Sequence, residues 1–320
     1  MRLVSTPDNP APPYPTLFAL RTADGVLLRA VSWASPHASR GTVALFTGRA
    51  EFIEKYYETV RDLLKRGLSV AVLDWRGQGG SERQLRNPRK GHIDDFSLYE
   101  RDFVAFFAEV MELSSPRPWF GLGHSMGAAI LLAIARAGRC PLERLVLCSP
   151  MIALGGPRWP RAERIAVEAL DAVGLGGVFA PGGGSKIGAI RPFAGNRLTS
   201  DQARYERTGR IVAANPELGL GHPTIGWLNA AFRLMGEFED PDFARRTLTP
   251  TLVIAAGADR VTDTRATERF ASRLRAGRLV VVEGAEHELL MERDVFRDQF
   301  FAAFDAFIPG VEGAQARAAS

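Results

Sequence analysis

The sequence predicts an α/β fold, with a mostly parallel central sheet, helices on both faces and an inserted helical cap. Three observations carry this. Short apolar runs of strand length alternate with stretches of helical spacing. The chain opens on an antiparallel hairpin signal before that alternation begins. From about residue 151 to 244 the alternation stops, and a helical, Gly-interrupted stretch takes its place.

The elements follow in order. Phe18–Arg21 and Leu27–Trp33 read as strands joined by the turn Ala23-Asp24-Gly25. Thr42–Phe46 is a short apolar strand. Phe52–Arg66 has helical spacing at Ile53, Tyr56, Tyr57, Val60, Leu63 and Leu64 and stops at Gly67. Leu68–Leu73 is a buried strand, and Phe96–Met111 a helix. Trp119–Leu122 runs into Gly123-His124-Ser125-Met126-Gly127, followed by a buried helix over Ala128–Ala137. Leu145–Cys148, Leu252–Ala256 and Leu279–Val282 read as strands, with helices at Thr264–Leu274 and Glu292–Phe307. The expected division is a core over 1–150 and 245–309, a helical cap over 151–244, and a frayed tail over 310–320. An insertion at that point lies over the carboxyl ends of the strands, where open α/β sheets bind ligands.

The chain has 320 residues and a net charge of +4. Its basic residues are nearly all Arg, with Lys only at 55, 65, 90 and 186, and no run of them reads as a nucleic-acid arm. Cys140 and Cys148 are not a disulfide framework. The N-terminus lacks the apolar stretch of a signal peptide, and no apolar run of about 18 residues predicts a spanning helix. The expected location is the cytoplasm, with membrane contact restricted to a peripheral one at its inner face through the cap.

Gly123-His124-Ser125-Met126-Gly127 fits the G-x-S-x-G elbow, in which a serine on a sharp strand-to-helix turn stands clear of the sheet. Gly123 and Gly127 remove side chains that would clash there. A serine needs a base, and the base needs an orienting acid. Of the five histidines, His287 and His222 follow Ser125 at a useful distance; His287, on a loop between strand and helix, is the expected base. His222 lies inside the cap. Asp259 sits on the loop after Leu252–Ala256 and is the expected acid. Asp263 is its rival, and is also placed to cap the helix that follows. For an oxyanion hole, one backbone N–H comes from Met126. The other comes from the loop Thr47-Gly48-Arg49-Ala50-Glu51, where Arg49 is the candidate. No His/Cys cluster has zinc-site spacing, and no metal or organic cofactor is expected.

Around these residues the chain resembles the monoacylglycerol lipase and bacterial lysophospholipase branch of the α/β-hydrolases, related to the serine aminopeptidases of class S33. The resemblance rests on the elbow, on Thr47–Glu51 with Lys55-Tyr56, and on Asp74-Trp75-Arg76-Gly77-Gln78-Gly79-Gly80-Ser81. It rests also on Arg89–Ile93, Ser149–Met151, Gly221–Thr224, Ala258–Asp263 and Gly284–Glu288. It spans about residues 18 to 308. It implies a cap over 151–244 and hydrolysis of carboxylic esters of single-chain lipids, with Asp74, Arg76, Gly77, His92 and His124 structural. Thr47-Gly48 stands where the lipase side has His-Gly, which points to the lysophospholipase side. The competing readings are a monoacylglycerol lipase, a small-ester esterase or an aminopeptidase on the same fold, and a non-catalytic binding protein. The cap's apolar residues Ile165, Val167, Leu170, Val173, Leu175, Val178 and Phe179 are expected to pack on the core, to line an acyl tunnel or to touch a bilayer.

Overall fold

The strands are β1 (Thr16–Arg21), β2 (Leu27–Trp33), β3 (Thr42–Phe46), β4 (Ser69–Asp74), β5 (Trp119–His124), β6 (Arg144–Cys148), β7 (Thr251–Ala256) and β8 (Gly277–Val282). The computed structural model describes residues 1–36, 40–155 and 161–309; His37 and the tail expected over 310–320 lie outside the described residues. The strands form one sheet in the order β1-β2-β4-β3-β5-β6-β7-β8. The β1–β2 and β2–β4 pairs are antiparallel and the rest are parallel. The central strands are buried almost from end to end, as strands covered on both faces must be.

Side-chain alternation sorts each strand between two cores. Val43 and Leu45 of β3 join Val70 and Val72 of β4 on one face; Ala44 and Phe46 join Ala71 and Leu73 on the other. Helices α1 (Tyr57–Lys65) and α9 (Asp294–Phe307) cover the first face. Helices α2 (Leu98–Phe106), α3 (Met126–Arg136) and α8 (Thr264–Ala271) cover the second. On α9, Phe296, Phe300, Phe301 and Phe304 all turn inward. Each such aromatic contributes roughly 1.5–3 kcal/mol by leaving water.

Between β6 and β7 lie α4 (Arg161–Leu170), α5 (Gln202–Ala214), α6 (Ile225–Glu239) and α7 (Pro241–Arg246), and the described part of this stretch adds no strand to the sheet. Asp201 caps α5 through Arg204 N–H, and Thr224 caps α6 through Trp227 N–H. Helix α6 buries one whole side in the same core as α3. The apolar stripe expected from Ile165 to Phe179 splits. Val167 is buried, but Ile165, Val173, Leu175 and Val178 remain exposed, because α4 has α6 as its main neighbour and turns its other sides to solvent.

Several boundaries differ from the sequence expectation. The single helix expected over Phe52–Arg66 begins as a tight 3-10 turn, Ile53–Tyr56, whose first N–H is taken by Asp74 Oδ1 at 3.0 Å. The helix expected to run to Met111 is α-helical only to Phe106 and widens into a π turn over Phe107–Met111. The last helix starts at Asp294, not Glu292, after a 3-10 turn over Leu289–Met291.

At Gly127, an added Cβ would sit 2.4 Å from Phe46 O and 2.6 Å from Thr47 O, both backbone atoms that cannot step aside. Gly127→Ala is expected to destabilise the fold by about 2–4 kcal/mol, read from the urea midpoint. Gly236, inside α6, meets nothing within 4 Å. Gly236→Ala is expected to be neutral or to stabilise by up to about 1 kcal/mol.

Candidate active site

Strand β5 ends at His124 and α3 begins at Met126, so Ser125 is the whole turn between them. Its backbone has φ 49° and ψ −111°, a conformation that residues with a Cβ seldom adopt. Three hydrogen bonds hold it there. Ser125 N–H donates to Cys148 O at 3.0 Å, and Ser125 O accepts from Ala129 and Met151 N–H, each at 3.1 Å. Both elbow glycines are sites of close approach; a Cβ at Gly123 would lie 2.8 Å from Ala128 Cα.

The loops after β7 and β8 carry the partners. His287 Nε2 lies 3.1 Å from Ser125 Oγ, and His287 Nδ1 lies 2.7 Å from Asp259 Oδ2. A carboxylate can only accept, so Nδ1 carries the proton and Nε2 is left to accept from the serine hydroxyl. Asp259 also accepts from Val261 N–H at 2.7 Å, Thr262 N–H at 2.9 Å and the Thr262 hydroxyl at 2.7 Å. Burial alone would raise its carboxyl, but the hydrogen bond and charge of His287, with the Thr262 donors, hold it below the ordinary value. Asp263 instead caps α8, accepting Ala266 N–H at 2.9 Å. His222 is not part of this constellation; its ring meets Gly184 and Arg191.

The loop after β3 lies beside the elbow because Phe46 and Gly123 are register partners. Ala50 has φ 61°, which turns the loop sharply. Gly48 N–H is consumed by the Glu51 carboxylate. Neither the Arg49 N–H nor the Met126 N–H is donated to any acceptor among the described residues. The turn after β4 braces this loop. Gln78 donates to Gly48 O at 2.7 Å and accepts Ala50 N–H at 3.2 Å, so one amide grips both sides of Arg49. Trp75 Nε1 donates to Thr47 O at 3.1 Å. Asp74 fixes the turn, accepting from Gly80 N–H and Arg29 at 2.7 Å each, and Arg76 is anchored on Asp102 at 2.7 Å.

Ser125 and His287 open on a cavity of about 400 Å³ whose walls are mostly apolar, among them Met151, Ile187, Leu198, Val212, Trp227 and Leu228. None of the stripe from Ile165 to Phe179 lines it. The segments Arg89–Ile93 and Gly221–Thr224, separate in sequence, meet here: Gly221 N–H donates to Arg89 O and Thr224 N–H to Gly91 O. His92 Nδ1 lies 2.8 Å from the Thr224 hydroxyl. The Arg49 side chain joins the same seam, donating to Gly221 O at 2.8 Å and lying over the Trp227 ring. Among the described residues, no group of three or more His, Cys, Asp or Glu could hold a metal ion. No described helix is long and apolar enough to cross a membrane. Sequence reasoning passed over Gln78, Glu51 and Glu288 as functional positions. A usable signal existed in Glu51 and Lys55, opposite charges four residues apart.

A model of the serine aminopeptidase S33 hydrolase family matches residues 37–294. Lysophospholipase L2 of Escherichia coli K12 is 34% identical over 286 residues, covering 86% of this chain and 82% of that protein. Monoglyceride lipase of Mus musculus is 26% identical over 289 residues, covering 90% and 88%. The crystal structure of a soluble variant of monoglyceride lipase from Saccharomyces cerevisiae, in complex with a substrate analog, superposes with a TM-score of 0.74 over 94% of this chain and 98% of that one. It is 18% identical and so speaks to the fold.

The Gln78 brace yields a specific expectation. Gln78→Ala frees the backbone on both sides of Arg49, so turnover of a chromogenic ester should fall by about 10- to 100-fold with KM changed far less. Steady-state kinetics at matched folded fraction decide this.

Proposed function

The chain belongs to the serine aminopeptidase S33 family of hydrolases, and from that premise we propose that it hydrolyses the carboxylic ester of single-chain lipids, as a lysophospholipase-type enzyme. The observation that carries this reading is the line Asp259–His287–Ser125, with contacts of 2.7 Å and 3.1 Å, at the wall of an apolar cavity. The helical stretch 151–244 is the cap over that cavity, and 1–150 with 245–309 form the core. Ser125 Oγ attacks the ester carbonyl while His287 Nε2 takes its proton. The carbonyl oxygen gains negative charge and is held by the Arg49 and Met126 N–H groups, which have no other acceptor. His287 then protonates the departing alcohol, leaving the acyl group on Ser125. Water, deprotonated by His287, attacks the acyl-enzyme and releases the fatty acid. Asp259 keeps the imidazole in its productive tautomer and stabilises the imidazolium.

Charge around the cavity supports a phosphate-bearing substrate over the alternatives. Glu51 and Glu288 are its lining carboxylates, and both are taken by Lys55 at 2.7 Å. An aminopeptidase needs a free carboxylate for the substrate ammonium, and among the described residues none lines the cavity. Lys186 and Arg191 also line it, exposed and with no carboxylate partner among the described residues. The glycerophosphate of a lysophospholipid fits these cations; the neutral head of a monoacylglycerol makes no use of them. The exposed Ile165, Val173, Leu175 and Val178 give the cap an apolar side for peripheral contact with a lipid surface.

The test compares fatty-acid release from a lysophospholipid and from a monoacylglycerol of the same acyl chain. Ser125→Ala should lower release by about 10⁴-fold or more. Replacing Lys186 and Arg191 together by Gln should raise KM several-fold for the lysophospholipid, an effect of about 1 kcal/mol for exposed charges, and leave the monoacylglycerol unchanged. Equal turnover of both lipids by wild type, with no effect of the double variant, contradicts the phosphate assignment.

A further inference from the structure

Three loops meet behind Ser125, and each carries one part of the apparatus: the oxyanion loop, the elbow and the His287 loop. Four charged side chains from these loops and the turn after the first meet one another. Glu51 closes the oxyanion loop, Lys55 lies one turn later, His124 directly precedes Ser125, and Glu288 directly follows His287. None is more than 8% exposed. Lys55 Nζ lies 2.7 Å from Glu51 Oε1 and 2.7 Å from Glu288 Oε1. Glu51 also accepts from Gly48 N–H and from the Tyr56 hydroxyl at 2.5 Å, and it pairs with His124 Nδ1 at 3.1 Å. His124 Nε2 faces the backbone carbonyl of His287 at 3.4 Å. Both nitrogens of His124 therefore face acceptors, an arrangement that a doubly protonated ring satisfies. Two carboxylates and two cations sum to zero.

Stability does not account for this group. Apolar side chains of the same volume are often as stable as a buried ion pair, so four buried charges beside a reactive serine need another reason. Their placement supplies it, because every one of the three loops is gripped by a charge held on another.

We propose that Glu51, Lys55, His124 and Glu288 form a buried, charge-balanced clamp of positioning residues that sets the oxyanion loop and His287 at working distance from Ser125, with His124 held as an imidazolium donating to the His287 carbonyl. The clamp rests on the reading of Ser125 and His287 as nucleophile and base. Glu51 has a second task. The His124 and His287 rings are 4.9 Å apart, and His287 must itself become a cation during catalysis. An uncompensated imidazolium at that distance would oppose this; Glu51 cancels its charge.

The charged groups acting on His124 are Glu51 and Lys55 from the oxyanion loop and its following turn and Glu288 from the histidine loop; the His287 ring lies 4.9 Å away, Cys148 is its register partner on β6, and Tyr56 reaches it only through Glu51. Burial would lower the His124 pKa, but the Glu51 charge and hydrogen bond outweigh it and hold the ring above the ordinary imidazole value. A raised histidine keeps its contribution at low pH and loses it as pH rises through the raised value, so the clamp opens on the alkaline side.

The experiment uses the whole protein with ¹⁵N-labelled histidine and an active-site titration by a fluorophosphonate. In wild type, the second His124 proton should be lost only at a pH above the ~6.5 of a free imidazole. In Glu51→Gln, His124 should lose that proton. Its kcat per titrated serine should fall about tenfold or more with KM changed less than about threefold, and the alkaline limb should move to lower pH. The clamp is overturned by a His124 that titrates as an ordinary neutral imidazole in wild type. It is equally overturned by a Glu51→Gln protein whose kcat per site and pH profile match wild type. If Glu51→Gln does not fold, Glu288→Gln takes its place, with the same fall in kcat and alkaline shift. Failure of the fluorophosphonate to label wild-type Ser125 would refute the nucleophile assignment, while the ¹⁵N shifts still decide the charge on His124.

Discussion

The conformation of Ser125 is the constraint on which the rest of the site depends. A residue with a Cβ at φ 49° and ψ −111° persists only where its surroundings over-determine it. Here β5 delivers it, α3 leaves it, and Cys148 and Met151 pin its two backbone polar groups. The sheet order makes this possible. With β3 on one side of β5 and β6 on the other, the Thr47–Glu51 loop and the Ser149-Pro150-Met151 loop both reach the elbow. Asp259 and His287 then arrive from the loops after β7 and β8, the next strands outward. The turn is strained so that one hydroxyl stands clear of the sheet, and the parallel strands converge their loops on that point.

Around the elbow, each moving part is held by something rigid. The Asp74–Ser81 turn grips the oxyanion loop through Gln78 and Trp75 and is itself locked to Arg29 and Asp102 through buried charges. The stretch between β6 and β7 is attached to the rest by several means. Arg49, His92 and the Gly91–Pro223 bridge join it beside the cavity, and Arg204 and Arg207 on α5 reach Glu58 on α1. Helix α4 buries Val167 and pairs Arg164 with Glu239 on α6, while Ile165 stays exposed.

Much of this was legible in the sequence, for identifiable reasons. Strand-length apolar runs marked the parallel sheet, because strands buried on both faces cannot hide their composition. The elbow was legible because its glycines are dictated by close backbone approach, and His287 because a histidine between strand and helix has few other roles. The choice between Asp259 and Asp263 turned on their surroundings: one faces His287, the other caps α8. What could not be read were contacts between distant segments. Nothing in the order of residues says that Gln78 brackets Arg49, or that Lys55 bridges Glu51 and Glu288. The choice among the three uses of the stripe from Ile165 to Phe179 was not legible, because periodicity reports an apolar side and not what covers it. Helix ends shifted where side chains intervened, as where Asp74 tightens the start of the helix at Ile53.

The most direct test of the account is a crystal structure of the protein inactivated by a long-chain alkyl fluorophosphonate. The account predicts a single adduct on Ser125 Oγ, with the phosphoryl oxygen about 2.7–3.1 Å from both the Arg49 and Met126 nitrogens and the alkyl chain inside the cavity lined by Leu198, Val212 and Trp227. An adduct on another residue, or one whose oxygen turns away from those two N–H groups, would contradict it.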